Sequence, residues 1–253
     1  MKCALLLSGI VGRVYKNKSK FEYENDVHVD FRIGHHFYKK NIFNVNDEVD
    51  VFIHSWDEKF EKELVQLYKP KKSKFQKQIV FNENKYRHNA ESRWYSTMEV
   101  TKLKKEYEEE NNFVYDVVMS SRFDIGFFKA LDFSKFIDLD TSVYVPAGLP
   151  YDPNKKSVLD YWHFSSSKNM DVINNFHPHF KEYGMRSPHK DLYQWPVDNN
   201  IKVCRAEDFQ DSEIGNGNTD IVRAIFENCE YKYEEFDIKK LKKLDKYPRG
   251  GRF

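Results

Sequence analysis

The stretch Tyr115–Phe127 constrains this chain more than any other. A short apolar run, Val117, Val118 and Met119, leads straight into Ser120, Ser121, Arg122, Phe123 and Asp124. A β-branched run bounded by polar residues reads as a buried strand. A lone arginine and a lone carboxylate at the exit of such a strand are expensive unless they are paired or face a cleft. In open α/β sheets ligands sit beyond the carboxyl ends of the strands. Asp124 is therefore a candidate metal or substrate ligand and Arg122 a candidate anion partner. The alternative is an Arg122–Asp124 pair that only closes a loop.

Similar strand candidates recur along the chain. Lys2–Leu7 ends in Ser8 and Gly9, and Asp50–His54 ends in Ser55, Trp56 and Asp57. Between them, 31–44 reads as a helix with Phe31, His35, Tyr38 and Ile42 on one face, and 14–30 as polar and irregular. Residues 57–67 are amphipathic and helical, Lys69–Lys77 is a basic loop, and Gln78–Phe81 is a short strand. The clearest helix spans 91–110 and precedes the strand at 115–119. Further on, 143–147 and Tyr161–Phe164 read as strands, Ser167–Phe176 and 188–199 as helices, and Ile201–Cys204 as a strand. Gly215–Asn218 is read as a loop, Ile221–Glu227 as a short helix and 237–244 as a basic tail. Alternating strands and helices imply an α/β fold with a mostly parallel sheet flanked by helices. Its 253 residues suit one continuous domain.

Charge is balanced, 41 basic against 40 acidic residues, so no overall basic field favours nucleic acid or a membrane surface. No apolar run approaches the roughly 20 residues of a spanning helix. The first residues resemble a signal peptide, but the apolar stretch is short and is interrupted by Gly9, Gly12 and Arg13, which fits a buried strand better. Cys3, Cys204 and Cys229 lack metal-ligand spacing and read as reduced thiols, which points to a cytoplasmic protein.

Several strand exits carry candidate chemistry. In Ser8-Gly9-Ile10-Val11-Gly12-Arg13 the glycines permit close approach of a ligand, and their N–H groups suit phosphate. This is neither a P-loop nor a complete dinucleotide fingerprint, and a tight turn with a solvated arginine is the plainer reading. His54 suits a phosphate and Trp56 a base or sugar ring. Alternatively Trp56 is core and Asp57 caps the next helix. Asp160, beside Tyr161 and Trp162, has the mixture that sugars favour, and Asp191 is the other candidate to take an acceptor's proton. Asp220 fits a helix N-cap, and His177 and His179 a surface turn. The basic loop 69–77 is either solvated or meets an acidic acceptor or a lipid phosphate.

As a series, CALLLSG, DVFIHSWD, LYKPKK, WYSTMEVTKLKKEYEEENNFVYDVVMSSRFDI and LDYWHFSSSKNMDVI resemble a family of small GT-A-type glycosyltransferases of large viruses, phages and bacteria, over roughly residues 3–175. The resemblance implies a GT-A-like, Rossmann-like single domain. Residues 1–127 would bind a nucleoside-diphosphate-sugar donor and 128–253 a glycan acceptor. Ser8, Gly9, Gly12, Arg13, His54, Trp56, Tyr95, Ser96 and Arg122 would surround the donor. Asp124 would hold a divalent cation, Mn2+ or Mg2+, where the family carries a DxD motif. Here the first acid of that motif is replaced by Arg122, and HFSSS stands where a glycine-serine turn is usual. The implied reaction is transfer of the sugar to an acceptor hydroxyl, with Asp160 or Asp191 as the base if the enzyme inverts. Two other functions fit the same residues. One is a sugar nucleotidyltransferase, for which Lys16 and Lys18 are poor catalytic lysines. The other is a non-catalytic carbohydrate- or partner-binding protein.

Overall fold

The computed structural model describes residues 1–11, 13–17, 22–147, 156–183, 187–210 and 219–221. Strand β1 (Lys2–Gly9) is followed by a pair of strands, β2 (Arg13–Asn17) and β3 (Glu22–His28), and by helix α1 (Phe31–Tyr38), which runs on into a π-helical turn at Lys39–Phe43. Next come β4 (Glu48–Ser55), α2 (Glu61–Tyr68), β5 (Lys72–Phe75), the long α3 (Lys85–Asn111), β6 (Val117–Ser121) and β7 (Ile125–Phe127). The second half contributes β8 (Ser142–Ala147), β9 (His163–Ser165), α4 (Ser167–Asn174), α5 (Pro188–Asp198), β10 (Lys202–Gln210) and β11 (Thr219–Ile221).

Seven of these strands form one sheet in the order β10-β8-β9-β6-β1-β4-β5. Only β9 runs against the others: it pairs antiparallel with both β6 and β8. The remaining pairings, β1 with β4 and β6, β4 with β5, and β8 with β10, are parallel. The fold is thus α/β, a mixed and mostly parallel Rossmann-like sheet with helices on both faces, in a single domain. Alternation along each strand divides the core in two. Cys3, Leu5, Leu7, Val51, Ile53, Val117 and Met119 pack toward α1 and α2, on the same side as Phe31, Tyr38 and Leu64. Ala4, Leu6, Phe52 and Val118 pack on the opposite side with Trp94 of α3 and Met170 of α4. Burial on both faces explains why these strands read as almost continuous apolar runs.

Four local readings change. Within 14–30, taken as irregular, the backbone pairs as the antiparallel β2 and β3. The strand expected at Gln78–Phe81 is instead β5, inside the stretch read as a basic loop. Ile79 and Val80 are exposed and find no sheet to join. Lys72 and Lys74 are held to α3, Lys72 by Glu106 and Glu110 and Lys74 by Glu99, while Lys71 pairs with Asp50 of β4. Their charge is compensated within the chain, and lysines of this kind protect a sheet edge from pairing with another chain. Asp220 and Ile221 are not at a helix start. They lie in β11, opposite Gly126 and Ile125 of β7. The loop 215–218, residues 222–227 of the expected helix, the tail 237–244 and Cys229 lie outside the described residues.

Two contacts fix the site's floor. A Cβ on Gly34 of α1 would overlap the carbonyl oxygen of Phe123, so only glycine lets α1 approach the exit of β6 this closely. One turn on, the Tyr38 hydroxyl donates to the Arg122 carbonyl oxygen at 2.6 Å and lies 2.7 Å from the Ser121 hydroxyl.

Candidate functional site

The carboxyl ends of β1, β4 and β6 lie side by side, because Leu7 is in register with Ile53 and Ser121. The chain crosses from β1 to β4 on one side, and β6 lies on the other. Their junction is the place where an open α/β sheet forms its crevice.

Beyond β6 the sequence-predicted pair meets. The Arg122 Nε donates to Asp124 Oδ1 at 2.8 Å and its Nη2 to Oδ2 at 2.7 Å. Burial works against the guanidinium's charge, but the facing Asp124 and the nearby Asp160 outweigh it, so its pKa is raised. Both Asp124 oxygens are committed to this fork. Among the described residues no group of three His, Cys, Asp or Glu side chains is placed to hold a metal ion. A hard divalent cation takes several oxygen ligands. Asp124 in this arrangement does not fit one.

Asp160 precedes β9, whose reversed direction brings the loop to the same edge of the sheet. Its Oδ2 lies 3.3 Å from Arg93 Nε and its Oδ1 3.1 Å from His189 Nδ1. Arg93 Nη2 also donates to the Asp160 carbonyl at 2.7 Å. Burial alone would push this carboxyl up, but His189, Arg93 and Arg122 together pull it down to about 2. Asp191, in the first turn of α5, is buried and accepts from the indole N–H of Trp94 at 3.3 Å. Arg93, Arg122, Asp124, Asp160, His189 and Asp191 therefore form one cluster of ionisable groups, drawn from α3, the turn after β6, the loop before β9 and α5. Arg93 Nη1 is buried with no hydrogen-bond partner among the described residues.

The other predicted residues divide. Gly9 has a φ of 102° and open space where a Cβ would stand. Its carbonyl accepts from the Trp56 N–H at 3.2 Å. Ser8 is partly buried, with its hydroxyl 3.4 Å from Thr97 of α3. Gly12 lies outside the described residues, and Arg13 is described only as the first residue of β2. His54 and Ser96 do meet, with Nδ1 and Oγ 2.6 Å apart, but both are in the core. Burial lowers the His54 imidazole to about 4, so it is neutral and part of the packing against α3. Trp56 is buried too, and Tyr95 stacks on it with ring centroids 5.5 Å apart. Phe81 and His177 close over Tyr95, 5.3 and 5.2 Å from its ring. His177 is thus packed rather than a surface residue. Asp57 does not cap the following turn through its side chain. Its Oδ2 accepts from the Val11 N–H at 2.7 Å and fixes the loop after β1.

Arg93 and His189 were not singled out by sequence reasoning. Arg93 adjoins Trp94 on α3, and an arginine against a buried helix face was its available signal. His189 stood beside Asp191, but nothing local shows that it faces Asp160, which is distant in sequence. No family model matches this chain, and no curated protein matches its sequence. No helix among the described residues is long and apolar enough to cross a membrane.

Proposed function

We propose that the chain is a glycosyltransferase that moves a sugar from a nucleoside-diphosphate sugar to an acceptor hydroxyl. The observation that carries this reading is the convergence of Arg93, Arg122, Asp124, Asp160, His189 and Asp191 at the crevice edge of the sheet. It supplies forked cationic donors of the kind that match phosphate beside an imidazole, a group suited to proton transfer. The mostly parallel sheet with its single reversed strand is also compatible with the Rossmann-like domain implied by the resemblance to GT-A enzymes.

In this reading residues 1–127 bind the donor. Gly9 leaves room for a close ligand. Arg122 meets the diphosphate, and its charge stabilises the leaving group as the glycosidic bond breaks. The second half brings Asp160 to the reacting centre and binds the acceptor glycan.

The fork between Arg122 and Asp124 also favours a second reading. A site whose charges are satisfied by one another suits a non-catalytic protein that binds carbohydrate.

Thermal unfolding with a panel of nucleoside diphosphates and their sugars, with and without manganese, separates the two. A ligand that binds the native state raises the midpoint by mass action. A selective rise with one nucleotide class supports the transferase and names the donor base. No rise with any nucleotide, but a rise with free glycans, supports the binding protein.

A further inference from the structure

We propose that His189, oriented by Asp160, takes the proton of the acceptor hydroxyl in a direct, inverting displacement. This rests on the glycosyltransferase reading and replaces the base expected from sequence.

Asp160 and Asp191 are poorly placed for the task. Asp191 is 1 % exposed and is engaged by Trp94. Asp160 is 12 % exposed at its side chain, and its oxygens are divided between Arg93 and His189. Held down to about 2, it is a weak proton acceptor near neutrality.

His189 has the complementary properties. Its Nδ1 is buried and lies 3.1 Å from Asp160 Oδ1, an ion-pair distance that is off line for a hydrogen bond in this arrangement. Catalytic contacts are often misaligned before substrate binds. The side chain is 34 % exposed although Nδ1 is covered. The backbone is fixed as well: the His189 carbonyl accepts from the Val158 N–H at 3.0 Å, which ties the start of α5 to the segment leading into Asp160. Arg93 grips Asp160 from the other side. Asp160 faces the imidazole, Arg93 and Arg122 act on Asp160, and Arg122 and Asp191 act on Arg93.

A proton on Nδ1, facing the carboxylate, leaves the lone pair on Nε2, and imidazole is the side chain that ordinarily titrates near neutrality. The acceptor O–H passes its proton to Nε2 as its oxygen bonds the anomeric carbon. The bond from that carbon to the diphosphate oxygen breaks, and its electron pair leaves with the diphosphate. The imidazolium formed is stabilised by Asp160, which stays ionised, and later returns its proton to water.

The test compares wild type, His189→Gln and Asp160→Asn. Transfer rates are followed against pH, nucleoside-diphosphate protection by thermal unfolding, and the His189 ring by NMR titration. Loss of transfer by roughly 10²- to 10⁴-fold in His189→Gln, with nucleotide protection unchanged, is expected for a lost general base. The wild-type pH–rate profile should coincide with the NMR titration of the His189 ring, and Asp160→Asn should displace the two together. Wild-type transfer by His189→Gln would overturn the inference and leave the transferase reading standing. Neither transfer nor protection by any nucleotide in wild type would overturn both.

Discussion

Arg122 grips Asp124 at two points, Nε to Oδ1 at 2.8 Å and Nη2 to Oδ2 at 2.7 Å, yet the partners are unequally buried, 35 % against 4 % exposed at their side chains. The carboxylate is the one that depends on the pair. Arg122→Gln leaves a buried charge uncompensated and is expected to destabilise the fold by about 2 kcal/mol, below the range for fully buried pairs because Arg122 is partly solvated. Asp124→Asn should cost less, since the arginine can turn to water. Urea unfolding of both variants gives the comparison. Under the proposed function, Arg122→Gln also removes the thermal protection given by nucleoside diphosphates.

Gly34→Ala places a methyl group against the Phe123 carbonyl, a backbone atom that cannot rotate aside. Either α1 or the exit of β6 must move. A loss of about 3 kcal/mol is expected, at the upper end for overpacking, and chemical shifts of residues 121–124 should change with it.

Acid should weaken the protein in two stages. His54 and His163 are buried as neutral rings, with burial lowering them to about 4 and about 3. The unfolded chain takes up these protons below about pH 6.5 while the native state does not, so stability falls as pH drops through that value, by about 2 kcal/mol per histidine at pH 5. Asp160 acts later. Its native value of about 2 lies below its unfolded value, so its contribution is complete above about pH 4 and is lost between about 4 and 2. Denaturation midpoints at pH 7, 6 and 5 test the first stage, and His163→Gln should flatten it.

Lys104 is fully buried between α3 and α4, where its ammonium meets Glu108 at 2.9 Å, Asp171 at 2.7 Å and the Ser167 hydroxyl at 2.6 Å. Glu108 in turn accepts from the Tyr115 N–H at 2.9 Å. Lys104→Met strands Glu108 in the core and should cost about 3–5 kcal/mol. Adding Glu108→Gln should recover part of this, as measured by equilibrium unfolding of the double variant.

Local pattern revealed the strands whose both faces are covered. Leu5, Leu6 and Leu7, or Val117, Val118 and Met119, have few alternatives to a buried strand. It misplaced β5, because Lys72 and Lys74 look solvated until α3 brings Glu106, Glu110 and Glu99 alongside. Asp220 looked like a helix cap because its partner, Gly126, is remote in sequence.

The site divides in the same way. Arg122 and Asp124 stand two residues apart at a strand exit, so their pairing was already an open alternative in the sequence. The sequence by itself determined the α/β alternation, the apolar strands and the polar residues at their ends, because these follow from periodicity and burial within short windows. Only the tertiary structure decided that β9 runs backwards, that His54 is core, and that Arg93 and His189 share Asp160. Those outcomes depend on how distant segments pack together, and charge compensation across such distances leaves no local periodicity to read.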